Sequence, residues 1–260
     1  KDNLPTRRAP VVTWTLIAIN AIVFLFSIAQ PDRRLPRYDG DGTTVVRGFD
    51  AITLEYGFVP CEVRSECPRP DLGQAIRPGT KEDVVDVRVP AHSAFLTILT
   101  AMFMHGGWLH LLGNMLFLWI FGNNVEDAMS RGGYLIFYLL AGLAAFATQY
   151  AIDTASDVPN IGASGAIAGV LGGYVVLYPR ARVLTALTLV IFFYVVEIPA
   201  MLVLVTWFAL QVLDGSAALV SPDASFGVAY FAHIGGFVFG AVAVRLFATR
   251  RRRAPALPGY

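Results

Sequence analysis

The sequence predicts an all-α polytopic membrane protein, a bundle of six transmembrane helices with both termini in the cytoplasm. Three observations point there. The 260-residue chain is 55% hydrophobic and only 15% charged, with a mean hydropathy of +0.57, which is not the make-up of an ordinary soluble domain. Its apolar residues gather into runs, most of them long enough to cross a hydrocarbon core about 30 Å thick. Lys and Arg alternate between successive connections, as the positive-inside rule requires. The net charge of +1 gives no ground for a nucleic-acid partner. The partner this composition implies is the lipid bilayer.

Residues 1–10 read as a short cytoplasmic tail with Lys1, Arg7 and Arg8. The membrane domain follows over 11–249. Its first span runs from Val11 to about Gln30. Residues 31–95 are rich in Pro, Gly and charges of both signs, too polar to span, and read as an external loop or small insertion. They hold the chain's two cysteines, Cys61 and Cys67. That spacing permits a disulfide in an oxidising compartment, with two unpaired thiols as the alternative. His92 alone is not enough to make a metal site of them.

The second span runs from about Trp108 to Val125 and closes at Glu126 and Asp127; the third runs from Gly133 to about Ile152. After 153–160 comes a short fourth span, Ser164–Tyr178, stopped by Pro179-Arg180-Ala181-Arg182. The apolar stretch Val183–Leu213 is interrupted by Glu197 and Pro199 and is too long for one span. It reads as an interfacial or re-entrant piece followed by a fifth span from about Pro199 to Leu213. The sixth span runs from Gly227 to about Ala248, and 250–260 is a basic cytoplasmic tail opened by Arg250–Arg253. Connections 153–160 and 214–226 contain no Lys or Arg, whereas Arg131, Arg180, Arg182 and Arg245 lie on the side of the two tails. The 31–95 segment is long enough to translocate largely regardless of charge.

The short fourth span gathers the chemistry. Ser164 to Tyr178 is 15 residues, a helix of about 22 Å. Pinned by its arginines at one face, it ends short of the other, with Ser164 at a helix N-terminus sunk below the membrane surface. Polar groups within spans are costly and point to function; here they are His105, His110, Asn114, Ser164 and His233. Ser164 lies 16 residues from Arg180, His233 lies 17 from Arg250, and His110 lies 16 from Glu126. Each count is about 24–26 Å of helix, so three helices bring a serine and two histidines to one depth. His110 and Asn114, at i and i+4, share a helix face and suit a developing oxyanion, with the Ser164 amide as a third donor. Ser164 needs a base to become a nucleophile, and His233 is the candidate. Glu197 is the one carboxylate inside an apolar run and counts to the wrong side, so a Ser–His dyad is expected, not a triad. Gly165, Gly169 and Gly173 on the fourth span, and Gly236 and Gly240 on the sixth, are the small-residue spacings that let two such helices approach closely.

Each of these residues alone has a plainer reading. Ser164 is an N-cap, Asn114 an interhelical hydrogen-bonding group, the glycines mere packing and His105 a structural residue where the helix begins. The set at one depth favours catalysis. A transporter or channel, in which intramembrane His and Gly line a path, finds no inverted repeat in its support.

The motifs His105-Gly-Gly-Trp-Leu-His110-Leu-Leu-Gly-Asn114, Gly162-Ala-Ser164-Gly165 and Ala232-His233-Ile-Gly235-Gly236 resemble those of the rhomboid family of intramembrane serine proteases. Glu126, Arg131 and Tyr134 fit the same pattern. The resemblance covers roughly 95–248 and the first span. It implies a six-helix core, with Ser164 as nucleophile and His233 as general base. His110, Asn114 and the Ser164 backbone N–H would form the oxyanion hole, and His105, Gly162, Gly165, Gly236 and Gly240 would shape the site. It implies cleavage of single-pass transmembrane proteins near the external end of their span, water reaching the site through a polar cavity, and no metal or cofactor. The alternative within the family is a silent rhomboid-like protein that binds transmembrane clients. The compact six-span plan points to a bacterial plasma membrane, with the site toward the external side. Two departures stand out. The Trp-Arg pair that many members carry in the first external loop is missing. The aromatic that supports the histidine ring four residues after the serine in several members is Ala168 here. Neither the oligomeric state nor the substrate is legible.

Overall fold

The apolar runs become helices close to where the sequence puts them. The computed structural model describes residues 2–37, 42–64, 72–76, 84–88, 92–189, 192–220 and 229–249; Cys67 and the basic 250–260 tail lie outside these. Helix α1 is Val11–Ile28. The polar segment holds strands β1 (Arg33–Pro36) and β2 (Thr43–Val46), helix α2 (Gly48–Tyr56), a 3₁₀ turn at Pro60–Arg64, strands β3 (Leu72–Ile76) and β4 (Val84–Arg88), and helix α3 (Ala94–Ala101). The second apolar run is helical from Trp108 to Ala128, as α4 (Trp108–Phe117), a π turn (Leu118–Gly122) and α5 (Asn123–Ala128). Then come α6 (Arg131–Ile152), α7 (Ser164–Leu177), β5 (Arg182–Leu189), β6 (Phe192–Pro199), α8 (Ala200–Val220) and α9 (Tyr230–Phe247). Among the described residues, α1, α6, α9 and the Ala200–Ala217 part of α8 are each long and apolar enough to cross a membrane. With the broken α4–α5 run and the short α7 they make the polytopic helical bundle that the sequence predicts. Leu246 and Val242 on α9 are 86% and 75% exposed, and only hydrocarbon is a good solvent for such a face.

The chain divides into two units. One comprises 1–17, 113–149 and 164–260; the other comprises 18–112 and 150–163. In the first, α7 is buried without a break from Gly165 to Tyr174. Its glycines let neighbours close on it. A Cβ on Gly236 would collide with the Gly165 carbonyl oxygen, one on Gly240 with that of Gly169, and one on Gly172 with that of Phe237. Backbone therefore meets backbone between α7 and α9, as small-residue faces allow.

Residues 2–8, expected as a tail, are tied to this unit. The Tyr174 hydroxyl donates to Asp2 Oδ2 at 2.7 Å, and Asn124 Nδ2 donates to the same oxygen. Arg8 donates to the Met129 carbonyl at 2.6 Å. Glu126 is 2% exposed and serves the start of α1, whose first amides have no partner within the helix. Oε1 accepts from the Val12 amide at 3.0 Å, and Oε2 accepts from the Thr13 amide and hydroxyl at 2.8 Å each. Glu126→Ala strips those donors of their acceptor and should cost about 3 kcal/mol, at the upper end for bonds to a charged group. The loss is read as a lower melting temperature in detergent; a variant that melts with the wild type would show the carboxylate to be idle.

Of two expectations about 183–226, the structure gives one its form and corrects the other. The stretch before the fifth span is an antiparallel hairpin, β5 on β6, with Arg182 opposite Pro199 and Leu189 opposite Phe192. Its Val, Thr, Phe and Tyr content favours extended backbone. Helix α8 continues seven residues past Leu213, taking in Asp214 and Gly215. Ser216 there satisfies its hydroxyl on the Val212 carbonyl at 2.7 Å, so polarity did not stop the helix.

In the second unit the described residues of the polar segment carry secondary structure, in keeping with a small insertion. β1 pairs with β2, β3 pairs with β4, and Arg37 bridges to Val87. Val46, Ala51 and Val87 form a small core with Leu35 and Leu54 against it. Cys61 is buried and disulfide-bonded. The segment is stitched to 150–163 by Phe58 and Asn160, each amide donating to the other's carbonyl.

Candidate active site

Ser164 is the first residue of α7, and the chain turns sharply to reach it. Gly162 sits at φ +132°, a conformation that side chains strain to adopt, and its amide donates to the Ala101 carbonyl at 2.8 Å. As a first-turn residue, Ser164 has a backbone N–H with no partner inside the helix. His233 lies in the first turn of α9, whose start is held by Gln149: its Oε1 accepts from the Ala232 amide at 3.3 Å. Gly235 packs so closely on α6 that a Cβ there would collide with the Thr148 hydroxyl.

These contacts bring Ser164 Oγ to 2.8 Å from His233 Nε2. On the other side of the ring, Nδ1 lies 2.6 Å from Gln211 Oε1. An amide oxygen only accepts, so Nδ1 carries the ring proton and donates it. Nε2 of the neutral ring is then the acceptor, and the Ser164 hydroxyl donates to it. The Trp207 ring stands against the imidazole with centroids 5.8 Å apart. Trp207 and Gln211 are one turn apart on α8 and present one face. Gln211 is 9% exposed, an uncharged polar group buried for a partner.

The other candidates divide between the units. Asn114 belongs to the first, and its Nδ2 is buried with no hydrogen-bond partner among the described residues. His105, His110 and Gly162 belong to the second. There His110 Nδ1 accepts from the Gly106 amide at 3.3 Å, so the neutral ring carries its proton on Nε2, as a donor. His105 is buried and packs edge-on against His110, ring centroids 5.1 Å apart. Among the described residues no group of three His, Cys, Asp or Glu side chains is placed to hold a metal ion.

The family model for the rhomboid domain matches residues 92–250, more than half of the chain and all three motifs. The chain belongs to the rhomboid family. It is 38% identical over 92 residues to the rhomboid protease GluP of Bacillus subtilis, covering 35% of this chain and 18% of that protein. It is 37% identical over 76 residues to the chloroplastic rhomboid-like protein 11 of Arabidopsis thaliana, covering 29% and 27%. Over 150 residues it is 31% identical to the mitochondrial presenilin-associated rhomboid-like protein A of Danio rerio, covering 56% and 36%. The chain thus spans about a third or less of the length of these relatives. Mitochondrial and chloroplastic names among them remove the support for a specifically bacterial membrane; membrane residence is what the apolar helices and the family establish.

In this rhomboid position 168 is Ala, and the aromatic ring against His233 comes from a different helix, α8. Trp207 and Gln211 flank His233, and sequence reading passed over both. A signal was present: Gln211 is, with Thr206, one of two uncharged polar residues in an otherwise apolar span, and lies four residues from a tryptophan.

Proposed function

We propose that this rhomboid is a serine endopeptidase that hydrolyses peptide bonds in or near the transmembrane segments of single-pass membrane proteins. The observation that carries the reading is the 2.8 Å contact from Ser164 Oγ to Nε2 of a histidine whose other nitrogen is already committed as a donor. Ser164 Oγ attacks the scissile carbonyl while His233 Nε2 takes its proton; the imidazolium then returns that proton to the leaving amine. A water, activated by the same histidine, hydrolyses the acyl-enzyme. Within the first unit, Asn114 Nδ2 and the Ser164 amide are the donors proposed for the developing oxyanion. Asn114 Nδ2, buried without a hydrogen-bond partner among the described residues, supports this, since a buried donor without an acceptor is costly until one arrives. Dyad chemistry of this kind draws on no metal or cofactor. The arginine pattern supports an orientation with both termini on the cytoplasmic side, or its matrix or stromal equivalent, and the site toward the opposite face.

The test is covalent labelling of detergent-purified protein with a fluorophosphonate. Wild type should label; Ser164→Ala and His233→Ala should not. Labelling of Ser164→Ala at the wild-type level would place the reactive group elsewhere. An unlabelled, folded wild type that also leaves a transmembrane substrate intact in liposomes would favour the silent client-binding reading.

A further inference from the structure

We propose that Gln211 is the positioning residue of the dyad, taking the place that an acid holds in a triad. The inference rests on the protease reading above and adds a third member to it. Three facts of geometry carry it. Gln211 Oε1 is 2.6 Å from His233 Nδ1, the Gln211 side chain is buried, and its i−4 neighbour Trp207 lies against the same imidazole. In a neutral histidine either nitrogen may hold the proton, and only one tautomer makes a base. With the proton on Nδ1, Nε2 accepts the Ser164 hydroxyl. With it on Nε2, the ring donates toward Ser164 Oγ and cannot take a proton from it. Gln211 selects the first form by supplying an acceptor where Nδ1 needs one, and Trp207 limits rotation of the ring. During attack the Ser164 proton passes to Nε2, the ring keeps its bond to Gln211 through Nδ1–H, and the same proton later leaves with the amine. A neutral amide contributes no charge to hold the imidazolium, so Gln211 fixes tautomer and orientation without raising the basicity of the ring.

The variants that test this are Gln211→Met, which keeps the volume and loses the acceptor, and Gln211→Glu, which keeps an acceptor oxygen at the same reach. Cleavage of a transmembrane substrate is followed in liposomes from pH 5 to 9, alongside ¹⁵N spectra of histidine-labelled protein. The chain has four histidines, and His233→Ala identifies the signal of interest. In Gln211→Met, kcat should fall at least about tenfold with KM little changed; the ceiling is the roughly 10⁴-fold cost of a wrong tautomer. The His233 proton should move from Nδ1 to Nε2. Gln211→Glu should restore kcat to within a few-fold. Its carboxylate favours the imidazolium, so the acid limb of its pH profile should move to higher pH by about one unit. A wild-type His233 protonated at Nε2, or a Gln211→Met protein with wild-type kcat and the proton still on Nδ1, overturns the proposal. A wild type that cleaves nothing yet loses the Nδ1 proton on Gln211→Met keeps the positioning role and removes only the protease reading.

Discussion

Ser164→Ala should reduce cleavage of a transmembrane substrate to background while leaving the fold untouched. The two halves of this expectation have separate causes. The variant removes one oxygen at the first position of a helix, and Ala is the strongest helix former, so the melting temperature in detergent should match the wild type. The chemistry loses its nucleophile, and nothing on α7 can replace it: the residues that follow are Gly165, Ala166 and Ile167. His233→Ala should fall as far, because an unactivated serine hydroxyl is a poor nucleophile. Members of a dyad act as one unit, so each single loss costs up to about 10⁶ in kcat, and the double variant should be no slower than either single one. Additive losses, with the double variant far below both, would mean that the residues contribute independently and that the 2.8 Å contact is not the catalytic one.

A second large effect is expected far from the reacting atoms. Gly240→Val should separate the two helices that carry the dyad. A Cβ at this position would overlap the Gly169 carbonyl oxygen and stand 2.5 Å from its carbon. The obstacle is backbone, which no rotamer change relieves, so the cost should reach or exceed the upper end for overpacking, about 3 kcal/mol. The relief open to the structure is for α9 to move away from α7. Ser164 rides on α7 and His233 on α9, so a shift of about 1 Å would break the hydrogen bond and cost about 10²-fold in turnover. Gly132→Ala is the control, since a Cβ there meets nothing within 4 Å. Equal melting and equal turnover for Gly240→Val and Gly132→Ala would show that close contact between α7 and α9 does not hold the site.

Much of the bundle was legible because apolar length is a one-dimensional property. Val11–Ile28, Arg131–Ile152 and Tyr230–Phe247 lie within three residues of their expected bounds at every end. Hydrocarbon demands an uninterrupted apolar run, and such a run can be counted. The approach of α7 to α9 was legible for a similar reason, as glycines four apart mark one helix face. The 183–220 region was not. The Arg182–Pro199 hairpin is as apolar as a span, and hydropathy does not distinguish a strand from a helix. Helix α8 runs on through Asp214 and Gly215, where hydropathy called for a loop.

What the sequence determined by itself was the set of chemical groups: a serine at a helix start, a histidine two spans later, and the spacings that place both at one depth. Depth follows from residue count along each helix, because the rise per residue is constant. What only the tertiary structure decided was which way the histidine faces. Gln211 and His233 are 22 residues apart on different helices, and no periodicity relates them. Their contact depends on how α8 packs on α9, through Phe208 stacked on Phe237 at 4.4 Å and Trp207 against His233. A tautomer is set by the partner of the remote nitrogen, and a partner on another helix is found only once the helices are in place.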